Sequence, residues 1–303
     1  MSLAARLSSG SYCATSTAGL LAVLPSPAAC HSSRGRAVAG RIGAVDAAQR
    51  WVGTGWKMTK TRAEGVAWAR AVVRAAAERG GESAWPGVQP FVLPPATAIT
   101  QVAEALRAPG TSRVLVGAQD AHWEDSGAWT GELSVPQVAD AGAQMVELGH
   151  SERREHFAET DERVALKVAA VLRHGLMPLV CVGETAEQRD AGRSVDVVLT
   201  QARAALGAAG DRRCVLAYEP VWAIGERGRE ARPEEVAPVV AALAGLVVDS
   251  GGGPSRNPVL YGGSVTVEGA PGVLEVPGVD GLFVGRTAWR AEGFVALLDL
   301  VSG

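Results

Sequence analysis

The 303-residue chain lacks the marks of a metal cluster, a disulfide scaffold and a membrane protein. It has four cysteines, Cys13, Cys30, Cys181 and Cys214, with no CxxC pair and no metal-finger spacing. Cys181 and Cys214 lie inside apolar runs, where cysteine acts as a small core hydrophobe, and the set fits a reducing compartment. No apolar run nears the roughly 20 residues that a membrane span needs. Neither sign of charge is in excess: 32 acids against 29 bases leave a formal net charge of −3. That excludes the electrostatic footprint of a nucleic-acid or anionic-membrane binder. His31, His122 and His156 have no partners at metal-ligand spacing, and His174 reads as a favourable charge near a helix end. No metal and no cofactor is expected.

Acids are also missing from the start, where none precedes Asp46. Residues 1–48 are rich in Ala, Ser and Gly and carry Arg6, Arg34, Arg36 and Arg41. This composition resembles an organellar transit peptide. Pro25 and Pro27 interrupt the apolar stretch that a signal peptide would need. The simpler expectation is a disordered extension, or a start assigned too early, ahead of one catalytic domain at 49–303. A cytoplasmic protein follows from that reading, an organellar one from the transit peptide.

The whole chain is 47% hydrophobic, and past this segment it alternates regularly. Apolar runs at 51–56, 91–93, 114–116, 145–148, 177–182, 214–218, 258–261 and 281–284 read as buried strands. Helical periodicity fills 63–79, 99–107, 136–141, 161–174, 195–206, 233–248, 267–274 and 291–301. Eight such pairs over about 250 residues predict an α/β fold, an eightfold βα barrel. The competitor, an open doubly wound sheet, needs a Gly-rich dinucleotide turn. Gly53-Thr54-Gly55-Trp56-Lys57-Met58 lacks its third glycine and its helix start. Gly251-Gly252-Gly253 reads as a flexible connection before the seventh strand.

In a barrel the C-terminal ends of all strands converge on one face. Here they deliver Lys57, then Gly149-His150-Ser151-Glu152, Gly183-Glu184, and Glu219. Singly, each would be a solvated or capping residue. Together, a cation, an imidazole and a carboxylate at one mouth form an acid/base set. Pro220 stops the sixth strand behind Glu219, and a loop closed by Gly225 and Gly228 has the layout of a lid. Gly262-Gly263-Ser264 and Gly285-Arg286 end the last two strands in turns whose backbone N–H groups suit a phosphate.

Five motifs then resemble triosephosphate isomerases, in family order. They are Trp56-Lys57-Met58, Gly149-His150-Ser151-Glu152-Arg153-Arg154, Cys181-Val182-Gly183-Glu184-Thr185, Tyr218-Glu219-Pro220-Val221-Trp222-Ala223-Ile224-Gly225 and Tyr261-Gly262-Gly263-Ser264-Val265. The resemblance implies a TIM barrel and an aldose–ketose isomerase that moves a proton between C1 and C2 of a small phosphosugar through an enediolate. It makes Glu219 the base, His150 the electrophile and Lys57 the electrostatic anchor, with Ser151 and Glu152 in support. Gly225, Ser264, Gly285 and the backbone of Arg286 would bind phosphate under the lid 221–228. In this family the imidazole is neutral, poised at a helix N-terminus, and here the helix would start after His150. The segment 119–132 resembles the family's third loop, which implies a homodimer.

Departures bear on the substrate. Gly55 stands where the family has an Asn that contacts substrate, and Thr59 where Asn is usual. The lid is longer by about one residue, and Arg286 replaces the second glycine of a pair. With His122-Trp123, Trp129 and Ala288-Trp289, these features are similar to the bacterial erythrulose-phosphate isomerases, which take a ketose one carbon longer. Replacing a side chain with hydrogen at Gly55 would make room for a hydroxymethyl group. Two rival readings are a Schiff-base aldolase with Lys57 as nucleophile and a non-catalytic relative. The first leaves Glu219 and its lid without a role, and the second leaves the intact Lys57, His150 and Glu219 without one.

Overall fold

Eight short apolar segments form β1 (Arg50–Gly55), β2 (Val88–Leu93), β3 (Leu115–Ala118), β4 (Met145–Leu148), β5 (Met177–Val182), β6 (Val215–Tyr218), β7 (Val259–Tyr261) and β8 (Gly281–Phe283). All pair in parallel in sequence order, and β1 also pairs with β8, through Trp51↔Gly281 to Gly53↔Phe283, which closes the sheet. The computed structural model describes residues 49–108, 111, 113–225, 228–250 and 257–303. The expectations for residues 1–48, for Gly251-Gly252-Gly253 and for the lid tip at Glu226-Arg227 lie outside the described residues.

Alternation along the strands divides the core in two. Trp51, Phe91, Met145, Leu179, Cys181, Val215, Leu260 and Phe283 belong to the cluster that fills the barrel. Val52, Val92, Val146, Val180, Leu216 and Leu282 face outward and pack under the helices. Those helices are α1 (Arg62–Glu78), α2 (Ile99–Leu106), α3 (Val135–Asp140), α4 (Ser151–Phe157), α5 (Asp161–Arg173), α6 (Ala186–Asp190), α7 (Ser194–Ala209), α8 (Pro233–Asp249), α9 (Ala270–Leu274) and α10 (Ala291–Ser302). Local signals set their starts: Thr61 and Glu64 form a capping box on α1, Ser134 and Gln137 on α3, and Thr185 and Gln188 on α6.

Several element boundaries differ from expectation by a few residues, and three of the differences have a local cause or consequence. β2 runs back to Val88 through Pro90, because the Gln89 side-chain amide donates to Pro90 O (3.0 Å) and Arg113 O (2.7 Å) where proline has no N–H to give. The helix expected over 267–274 starts only at Ala270. The short α6 sits in a stretch expected to be loop. None of this moves the strand ends, which all open on one face.

Candidate active site

Lys57 follows β1 by two residues in a left-handed backbone conformation (φ 51°). Gln119 holds it there, its side-chain amide donating to Lys57 O and Leu93 O at 3.0 Å each. The turn aims Nζ at Glu152 Oε1, 2.6 Å away. Burial pushes the Glu152 carboxyl up, but the hydrogen bond from Lys57 and the neighbouring His150 outweigh it and hold it below its ordinary value.

His150 caps α4: its Nδ1 accepts the backbone N–H of Glu152 at 3.1 Å. A backbone N–H donates only, so that bond assigns the ring proton to Nε2. Nε2 faces Glu219 Oε1 at 3.6 Å. The turn before His150 is fixed from both sides, since Gly149 N donates to Glu159 Oε2 (3.0 Å) and Arg154 Nε donates to Gly149 O (2.7 Å). Ser151 Oγ is buried beside them with no hydrogen-bond partner.

Glu219 is the first residue past β6 and is 4% exposed. Its backbone N–H donates to Val182 O at 2.8 Å, while its carboxylate Oε2 is buried with no hydrogen-bond partner. Gly262 makes room for the stem: a Cβ there would stand 2.7 Å from Glu219 Cγ. A desolvated carboxylate with an open lone pair, opposite an imidazole N–H, suits the removal of a weakly acidic C–H proton.

Below it the structure adds a residue that the sequence did not flag. Glu147 reaches inward from β4, and donor atoms of Glu147, Cys181 and Glu219 all lie within 4.8 Å of one another. Burial, opposed by His150 and Lys57 and reinforced by Glu219, pushes the Glu147 carboxyl up to about 7. Burial likewise drives the Cys181 thiol well up. Of the described residues, only this group converges as metal ligands would. Two of its members hold protons that a cation would have to displace. The one signal for Glu147 was an acid inside the apolar run Met145-Val146-Glu147-Leu148.

The lid begins as a single helical turn, Val221–Ala223. Trp222 Nε1 donates to Glu184 Oε1 (2.8 Å), which also accepts from Tyr218 Oη at 3.2 Å. The guanidinium groups of Arg189 and Arg229 lie 4.1 and 4.7 Å from the Trp222 ring, and both bond Glu235. Ser264 follows the neighbouring strand β7, and Gly285 and Arg286 follow β8. The Arg286 guanidinium reaches across to the lid, donating to Gly225 O at 3.2 Å. Of the other histidines, His174 caps α5 and lies 2.7 Å from Asp125 Oδ1. His122 packs against Trp123 and Trp129, at 4.0 and 4.5 Å between rings.

A family model described as triosephosphate isomerase matches residues 50–301. An L-erythrulose-1-phosphate isomerase from Mycolicibacterium smegmatis is 49% identical over 262 residues, covering 86% of this chain and 95% of the relative. One from Mesorhizobium japonicum is 45% identical, covering 83% and 97%. The crystal structure of triosephosphate isomerase from Bartonella henselae superposes with a TM-score of 0.73 at 30% identity, over 84% of this chain and 100% of that one. Closed barrel, strand-end motifs and sequence similarity agree: the chain belongs to the triosephosphate isomerase family.

Proposed function

We propose that this isomerase works on a four-carbon ketose phosphate, L-erythrulose 1-phosphate, with Glu219 as base, His150 as electrophile and Lys57 as anchor. The carrying observation is Gly55. It removes a family side chain at the C-terminal end of β1, in a chain nearly half identical to relatives named for that substrate.

The chemistry follows from where the phosphate sits. In a triose phosphate the carbon that loses its proton is C1. In a tetrulose 1-phosphate C1 carries the ester, so the equivalent carbon is C3, which bears a hydroxyl and the C4 hydroxymethyl. Glu219 takes the C3 proton as His150 Nε2 donates to the C2 carbonyl oxygen, giving an enediol. Return of the proton to C2, with the C3 oxygen losing its own, leaves a ketose with its carbonyl at C3. Lys57 offsets the negative charge that grows on oxygen. The lid keeps water out and guards the intermediate against loss of phosphate. Arg286, replacing a glycine beside the phosphate turn, adds a cation and a tether to the lid.

The family's pairing through the third loop extends to this chain in our reading. Trp129, 48% exposed on that loop, and Met58, 98% exposed beside Lys57, are the apolar surface such a homodimer would cover. No helix among the described residues is long and apolar enough to cross a membrane. Cys181 and Cys214 are free thiols, and we assign the protein to the cytoplasm.

Turnover of purified enzyme on L-erythrulose 1-phosphate and on dihydroxyacetone phosphate tests the substrate. The expected outcome is a kcat/KM for the tetrulose at least about 10-fold higher. Preference for the triose would refute it. Glu219→Asp, which withdraws the base by one methylene, should lower kcat on both by about 100-fold or more.

A further inference from the structure

The interior layers of the barrel are apolar, built from Trp51, Phe91, Leu115, Met145, Leu179, Val215 and their neighbours. Glu147 breaks that pattern. It pairs in register with Leu179 and is 5% exposed. An acid there costs stability unless something repays the desolvation.

Its position relative to Gly55 is the clue. A Cβ on residue 55 would stand 3.6 Å from Glu147 Oε2 and 3.1 Å from Phe283 Cζ. The approach to Phe283 is tight and that to Glu147 is ordinary contact, so a larger side chain built on that Cβ would compete with the Glu147 carboxyl group for space. The two positions are therefore matched: β1 gives up its side chain, and β4 sends a carboxyl group into the space. The groups that face this carboxyl are Glu219, Cys181, His150 and Lys57. It lies deeper in the barrel than the base, within a few ångströms of it.

We infer that Glu147 is the specificity-determining residue of this site, its carboxyl group hydrogen-bonding the terminal hydroxymethyl of the ketose. This rests on the tetrulose reading above. The C4 hydroxymethyl hangs from C3, the carbon at which Glu219 works, and Glu147 is the polar side chain beneath Glu219. A protonated carboxyl both donates and accepts, so it serves a hydroxyl as an amide would. The burial that pushes Glu147 up to about 7 favours that form. A triose has nothing at this point, and would leave the buried carboxyl without its partner.

The experiment measures kcat/KM on both substrates for the wild type, Glu147→Leu, Glu147→Gln and Gly55→Ala. Leucine continues the apolar layer and should lower the tetrulose-to-triose ratio by about 10- to 100-fold, the value of one hydrogen bond to a polar buried group. Glutamine keeps a donor and an acceptor and should hold most of the ratio. Gly55→Ala sets a methyl against Phe283 and in contact with the carboxyl, inside the space the hydroxymethyl would use, and should lower the ratio even if the leucine variant fails to fold. General damage would reduce both rates together and leave the ratio unchanged. An unchanged ratio in Glu147→Leu or in Gly55→Ala would overturn the inference while the wild-type preference stood. A wild type that prefers the triose would remove the tetrulose reading itself, and this inference with it.

Discussion

Two carboxyl groups share the floor of this barrel, and the charge of Glu219 adds to burial in suppressing ionisation of Glu147. For Glu147 the consequence is measurable as stability. Its proton is held to about pH 7 in the folded chain, against 4.5 for an ordinary glutamate. Between those values the folded state binds more protons than the unfolded one, so stability falls as pH rises. Relative to Glu147→Gln, the wild type should lose on the order of 3 kcal/mol between pH 5 and 8 in urea melts. A difference independent of pH would mean that Glu147 ionises as it would in water. At this scale the sequence was uneven. Lys57, His150 and Glu219 were legible because each ends an apolar run, where a polar residue must face the mouth. Glu147 was not, because an acid within a four-residue strand points inward or outward according to a register that only the closed sheet defines.

Among the described residues, a long side chain links the expected lid to the β8 turn. Arg286 bonds Gly225 O from outside the lid, next to the backbone amides expected to receive phosphate. Arg286→Gly restores the family residue and keeps the amide, and should raise KM for either phosphosugar about 10-fold while changing kcat less. Steady-state kinetics at low and high salt check this, and the effect should shrink at high salt. The front of the lid is anchored differently, by Trp222 on Glu184 and between two arginines. Glu235, which joins those arginines, is held well below the usual carboxylate range by its bonds to Arg229. The lid is an expectation from Pro220 and the closing glycines. Its anchors were not legible, since Arg189, Arg229 and Glu235 come from separate elements. The short α6 was missed although Thr185 and Gln188 spell a capping box, because five residues are too few to show a helical period.

For the whole molecule, the alternation of eight apolar runs with eight helical stretches was enough to infer the barrel. An open doubly wound sheet buries both faces as well, and the glycine turn it needs after the first strand is missing here. The proposed homodimer came from resemblance alone, since a loop that packs into another subunit carries no periodic signal. Trp129→Glu places a charge in that contact and should shift the protein from dimer to monomer mass in light scattering, with a loss of specific activity. A wild type that is already monomeric would refute the pairing.

The root of the third loop is bound to both halves of the proposed catalytic pair. Gln119 donates to Lys57 O. Asp120 bonds Arg153 of α4, the helix that His150 caps, at 2.9 Å, and also takes Lys167, which in turn holds Glu159 and through it Gly149. In the proposed homodimer, seating the loop in a partner and setting the geometry of Lys57 and His150 would thereby be thermodynamically linked, and linkage runs both ways. Substrate should tighten the association of subunits by the same factor by which association tightens substrate. In dilute solution the enzyme would then show an affinity for its sugar that rises with its own concentration.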